Sequence, residues 1–156
     1  LLPDQRTSVH LVAPGGQDEL KEENCIMTRQ PHLQKKTEGR RGFPEIYPEV
    51  FERRGVQLLQ VAETHRLILM DELGFAEREA PAFRKRVLEV LDGEVPVLGV
   101  LKKWPYEFLE QVAAHPAVTV ITVTEENREQ IAALMTFAWS LIQGSALQAP
   151  PARESS

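Results

Sequence analysis

The sequence predicts an α/β protein of three layers, with helices packed on a mainly parallel sheet. Three observations carry that prediction. Short apolar runs alternate with stretches of helical periodicity along the second half of the chain. One run, Leu67-Ile68-Leu69-Met70, is unbroken, as in a strand buried on both faces. The order strand, helix, strand, helix, strand, helix is that of right-handed βαβ units.

The elements follow in order. From Leu1 to about Lys36 the chain is polar apart from Val9-His10-Leu11-Val12-Ala13, a strand that Pro14-Gly15-Gly16 ends in a turn and loop. Lys35 to Arg41 is basic and contains glycine, and reads as a surface connection. Pro48 to Ala62 has helical spacing of apolar residues, interrupted at Gly55. The strand ending at Met70 comes next. Ala82 to Leu91 is a helix burying Phe83, Val87, Leu88 and Leu91, closed by Asp92-Gly93. Val95 to Leu101 is the next strand. Tyr106 to Ala114 is a short helix with Phe108, Leu109 and Val112 inward, stopped by His115-Pro116. Val118 to Val123 is predicted as a third strand. Thr124 is a candidate N-cap, with Glu125 and Glu126 at the positive end of a last helix running to about Gln143. One domain over 1–145 is expected, and the Pro-rich polar tail 146–156 is expected not to fold. No internal repeat is visible.

Composition narrows the function. A net charge of -5 in 156 residues argues against a nucleic-acid or anionic-membrane partner, both of which need a basic face. No apolar run approaches the roughly 18–20 residues that span a bilayer. Cys25 is the only cysteine, so there is no internal disulfide, and a reducing cytoplasm is expected. Its simplest role is that of a small core residue. The histidines 10, 32, 65 and 115 have no zinc-like spacing with one another or with Cys25. Nothing of the Gly-x-Ser-x-Gly kind occurs, so covalent catalysis has no support.

The feature with chemistry in it is Leu67-Ile68-Leu69-Met70-Asp71-Glu72. In open α/β sheets ligands bind beyond the carboxyl ends of the strands, where this acid pair is predicted to lie. In P-loop enzymes a strand-end Asp helps hold Mg²⁺, a hard cation that takes oxygen ligands, which is the role given to Asp71. An adjacent carboxylate can orient a water or take its proton, the role given to Glu72. The plain alternative is that the two acids open a solvated loop.

Further residues align with that motif. Asp71-Glu72-Leu73-Gly74 is followed by Phe83-Arg84, by Pro96-Val97-Leu98-Gly99-Val100, by Phe108-Leu109 and by Val123-Thr124-Glu125-Glu126-Asn127-Arg128. In order and spacing this resembles the nucleoside-triphosphatase family of P-loop proteins found from thermophilic prokaryotes to animals, over roughly Glu45 to Leu134 and more weakly over Val9 to Asn24. The resemblance implies a P-loop fold and hydrolysis of a nucleoside triphosphate, ATP or GTP, to the diphosphate and phosphate with Mg²⁺ as cofactor. It implies Asp71 as metal ligand and Glu72 as catalytic residue. Lys102, after the second strand, and Arg128, in the Asn-Arg of the pattern, become candidate nucleotide contacts; a solvated loop lysine and a helix-surface salt bridge are the alternatives.

Two departures stand out. The family opens with a Gly-rich loop ending Gly-Lys-Ser/Thr, the Walker A loop, which wraps the phosphates with backbone N–H groups. No Gly-Lys-Ser/Thr occurs in this sequence, and Gly15-Gly16 is followed by Gln17-Asp18. The expectation is therefore a fold incomplete at its N-terminus, weak or absent hydrolysis by this chain, and exposed apolar sheet edges that favour self-association. The family also places a lysine after the Gly of Asp-Glu-Ile-Gly, where this chain has Phe75. A non-catalytic nucleotide-binding or protein-interaction domain is the second reading, favoured by Phe75 and by the apolar last helix. Lys35, Lys36, Arg40 and Arg41, interrupted by Glu38, read as a solvated loop.

Overall fold

The structure is a computed structural model, and it describes residues 7–13, 20–29, 44–62 and 64–146. The Pro14-Gly15-Gly16 turn, the basic connection 35–41 and the tail from residue 147 lie outside the described residues. The chain divides into two compact units, Leu1–Val118 and Thr119–Ser156.

The first unit holds two sheets. β1 (Thr7–His10), β2 (Cys25–Arg29) and β3 (Glu45–Ile46) form an antiparallel sheet in that order, with Val9 opposite Met27 and Met27 opposite Ile46. A 3₁₀ turn, Glu22–Asn24, leads into β2. β4 (Ile68–Leu73) and β5 (Val97–Leu101) form a parallel pair, with Ile68 opposite Val97 and Met70 opposite Gly99. The fold is thus α/β with a parallel pair, but the mainly parallel sheet does not hold for the described strands. Three of the five are antiparallel, because β1, β2 and β3 pair with one another rather than with β4 or β5.

The helices of this unit supply its core. α1 (Pro48–Val50), a π-helical turn (Phe51–Gly55) and α2 (Val56–Leu58) run on as one helical stretch. Gly55 does not interrupt it, contrary to the sequence expectation. A Cβ there would come within 2.6 Å of the Phe83 ring, so glycine is needed for close approach and not as a breaker. α3 (Pro81–Leu91) buries Phe83, Val87 and Val90, a spacing of four and then three residues that makes one helical face. Leu88 and Leu91 pack only partly buried at its margin. Ala80 at the N-cap cannot accept the first free N–H groups of α3. Glu52 does so across 30 residues: its Oε1 accepts from Ala82 N at 2.9 Å and Phe83 N at 3.4 Å, a carboxylate at the positive helix end. α4 (Glu107–Ala113) buries Phe108, Leu109 and Val112, as its spacing predicts. Phe51 and Phe83 meet with ring centroids 5.2 Å apart.

β4 is not buried on both faces. Met70 and Leu73 enter the core with Phe83 and Val87, whereas Leu69 is 53% exposed, as are Leu98 (43%) and Val100 (56%) of β5. An unbroken apolar run fixes neither face of a strand; the cover on each face does.

The predicted strand Val118–Val123, which lies in the second unit except for Val118, does not form. The segment has no strand conformation, and Val120, Ile121 and Val123 are exposed. Apolar β-formers provide propensity, but a ladder exists only where a partner completes it. α5 (Arg128–Ala146) follows. Thr124 is not a side-chain N-cap: its hydroxyl donates to Glu126 Oε2 at 2.9 Å. Instead Asn127 braces the turn, accepting from Thr124 N at 2.7 Å and donating to the Thr122 carbonyl at 2.9 Å. No helix among the described residues is long and apolar enough to cross a membrane.

Candidate functional site

β4 ends in a β-bulge that carries the acid pair. Met70 pairs with Gly99 and Leu73 with Leu101, so Asp71 and Glu72 together stand opposite Val100. One extra residue in a strand kinks it and re-aims its side chains. Met70 and Leu73 on either side are buried, and Asp71 and Glu72 are both exposed. Strict alternation would have sent one of two neighbouring acids into the core.

Because β5 runs parallel to β4, its carboxyl end lies beside this bulge. Lys102 N donates to the Leu73 carbonyl at 2.9 Å, extending the ladder one step past β5. Lys102 Nζ donates to Glu72 Oε1 at 3.0 Å and stands 5.9 Å from the centre of the Phe75 ring. Both side chains of this ion pair are about half exposed (42% and 53%), so it adds at most about 1 kcal/mol to stability; its importance is positional. Gly74 lies against the pair: a Cβ there would touch Glu72 Oε1 and Lys102 Cδ at 3.4 Å.

A layer of polar groups lies behind the tip. Glu77 is 2% exposed, and its Oε1 accepts from Gly74 N at 2.6 Å. Burial pushes its carboxyl above the usual carboxylate range, the nearby Glu72 charge adds to that, and backbone hydrogen bonds and the Arg84 charge oppose it. Tyr106 joins the loops that follow the two strands: its hydroxyl accepts from Arg84 Nη1 at 3.0 Å and donates to the Arg78 carbonyl at 3.2 Å. The Arg78 guanidinium stands 5.9 Å from the Tyr106 ring centre.

Of the residues singled out in the sequence, the structure brings Asp71, Glu72 and Lys102 to one strand edge. Arg128 is the exposed first residue of α5 in the second unit, where its N–H donates to the Thr124 carbonyl. Glu77 and Tyr106 were not foreseen. Glu77 sits in Glu77-Arg78-Glu79, which looks like a solvated charge run. The one signal available was its place three residues after a glycine, a spacing at which a side-chain acceptor can close a turn on a backbone N–H.

Among the described residues no three His, Cys, Asp or Glu side chains gather in a metal-holding group. The tip is therefore no protein cage for a cation, and what it offers is carboxylate oxygen facing solvent.

A family model described as NTPase matches residues 12–135. The chain belongs to the NTPase family. Membership brings the P-loop NTPase fold class, with which the parallel β4–β5 pair agrees. Two relatives carry the name nucleoside-triphosphatase THEP1. The one from Thermotoga petrophila is 32% identical over 81 residues, 51% of this chain and 45% of the relative. The one from Thermotoga maritima is 31% identical over 81 residues, 51% of this chain and 47% of the relative. The match thus spans about half the length of these curated relatives. No solved structure matches the chain.

Proposed function

We propose that this chain carries the water-activating edge of a site that hydrolyses nucleoside triphosphates to diphosphate and phosphate. The observation behind this reading is the bulge that turns Asp71 and Glu72 out together beside Lys102. Glu72 orients the attacking water and accepts its proton as oxygen attacks the γ-phosphorus and the bond to the diphosphate breaks. Lys102, in an ion pair with Glu72, holds that carboxylate in one orientation and offers its ammonium to the γ-phosphate. Arg128 is a second candidate nucleotide contact. Asp71 is the residue that would hold magnesium. A single exposed carboxylate suits an ion that keeps most of its water shell and takes its other ligands from phosphate. When bound, the ion supplies charge neutralisation on the phosphates.

The test is Glu72→Gln in a chain that also carries a Gly-Lys-Ser/Thr loop. Magnesium-dependent phosphate release should fall by about a hundredfold or more, with nucleotide affinity nearly unchanged. Wild-type turnover in that variant removes Glu72 from the mechanism. A second reading, a nucleotide-binding or protein-interaction domain without chemistry, draws on Phe75 at the family's lysine position and on the absence of Gly-Lys-Ser/Thr from this sequence. Calorimetry of the present chain with ATP and magnesium should show nothing tighter than about millimolar, near -4 kcal/mol. Micromolar binding would mean that the phosphate site lies elsewhere in the chain. Self-association through the exposed Leu69, Leu98 and Val100 is part of the proposal, as is a reducing, cytoplasmic location inferred from the single buried Cys25.

A further inference from the structure

We infer that Glu77 is a positioning residue: its buried carboxylate fixes Gly74 and so sets the geometry in which Glu72 meets Lys102. The inference rests on the reading of Glu72 above only for its bearing on hydrolysis.

A glutamate that is 2% exposed has given up its hydration and is retained only where its oxygens have other partners. Here Oε1 accepts the Gly74 N–H in a short bond of 2.6 Å, while the Glu77 carbonyl accepts from Ala80 N at 3.0 Å. The turn between β4 and α3 is thus closed from both sides of Glu77. Gly74 has little freedom left. The residue before it is tied to β5 through the bond from Lys102 N to the Leu73 carbonyl, and its own N–H is tied to Glu77. A Cβ built on Gly74 would stand 3.4 Å from both Glu72 Oε1 and Lys102 Cδ, so the glycine borders the ion pair directly. A shift of Gly74 is therefore a shift of the ion pair. The burial that raises the Glu77 carboxyl is consistent with a group placed for geometry at some energetic cost.

The experiment compares Glu77→Gln, which keeps an acceptor for Gly74, with Glu77→Met, which keeps the bulk and removes it. Hydrogen exchange and side-chain nuclear Overhauser contacts are read by NMR on the full chain. In Glu77→Met the Gly74 amide should exchange about tenfold faster or more, and the Lys102–Glu72 side-chain contact should disappear, while the α3 amides keep their protection. In Glu77→Gln both signatures should stay close to wild type. Unchanged Gly74 protection in Glu77→Met overturns the inference, and so does a Lys102–Glu72 contact that survives there. If Glu77→Met does not fold, the unmutated chain decides: coupling across the hydrogen bond between the Gly74 nitrogen and the Glu77 carboxyl carbon supports the inference, and its absence overturns it. Phosphate release from ATP and magnesium, measured for the same substitutions in the chain that also carries a Gly-Lys-Ser/Thr loop, reads the function separately. If the NMR pattern is as expected but no protein releases phosphate, the positioning stands and the hydrolytic reading falls.

Discussion

The antiparallel sheet of β1, β2 and β3 and the tip of the parallel pair both place polar side chains near the core, and they treat them in opposite ways. On the antiparallel sheet a set of polar side chains closes on itself. His10 Nδ1 and Asn24 Oδ1 lie 2.7 Å apart, His10 Nε2 reaches Ser8 Oγ at 3.0 Å, and Thr28 meets the Tyr47 hydroxyl at 3.1 Å. Asn24 and Thr28 are buried. At the tip of β4 and β5 the groups are charged and face water, apart from Glu77 behind them. A buried neutral group needs one well-made partner and then adds to stability. Exposed charges add little, and what they offer is reactivity towards something that arrives from solvent. The difference sets the structural cluster of the antiparallel sheet apart from the tip, the proposed place for chemistry.

That contrast can be broken in several ways, beginning with the largest effect. Phe83→Ala empties the space between the π-turn and α3 and should cost about 3–5 kcal/mol in thermal or denaturant unfolding. A loss near zero would mean that the first unit does not fold around α3. Asn24→Ala leaves His10 and the Lys21 N–H, 3.1 Å from Asn24 Oδ1, without that acceptor, and should cost about 1–3 kcal/mol. It should leave the Lys102–Glu72 contact seen by NMR unchanged. Lys102→Ala should change stability by less than about 1 kcal/mol although it removes a charge pair. If Lys102→Ala destabilises more than Asn24→Ala, the division into structural and chemical clusters is wrong.

Acidity sharpens the same comparison through Glu77. Its carboxyl in the folded chain lies above the ordinary value of 4.5, so the folded state holds the proton more tightly than the unfolded one. Below 4.5 both states are protonated and the burial penalty is absent; as pH rises from there through the raised value, that part of the stability is lost. Urea unfolding of wild type and Glu77→Gln at a series of pH values should show the variant gaining on wild type over that window. A constant difference would remove Glu77 as a buried ionisable group. The smallest expected effect concerns solution state. Val100→Lys places a charge on the exposed face of β5 and should reduce self-association in sedimentation without moving the unfolding midpoint. Identical sedimentation of variant and wild type would discard that face as the contact.

Much of the second half of the chain was legible in its residues. Phe108, Leu109 and Val112 face inward as their spacing demands, and the strand before Asp71-Glu72 sends its end towards the neighbouring strand tip. The misreadings share one cause. Val118–Val123 has the composition of a strand without forming one, Leu69 sits in an apolar run and is exposed, and Gly55 resembles a breaker while lying against Phe83. In each case the local pattern states a preference, and a neighbour distant in sequence decides the outcome.

The sequence by itself determined that an acid pair follows a short apolar strand and that helical faces recur around it, because periodicity and residue type act over a few residues. Only the tertiary structure decided that both acids turn outward, since that depends on a bulge in the register with β5. It alone brought Lys102 to Glu72 across 30 residues and buried Glu77 out of a run of charges. Register and burial are set by partners remote along the chain, and no local pattern encodes them.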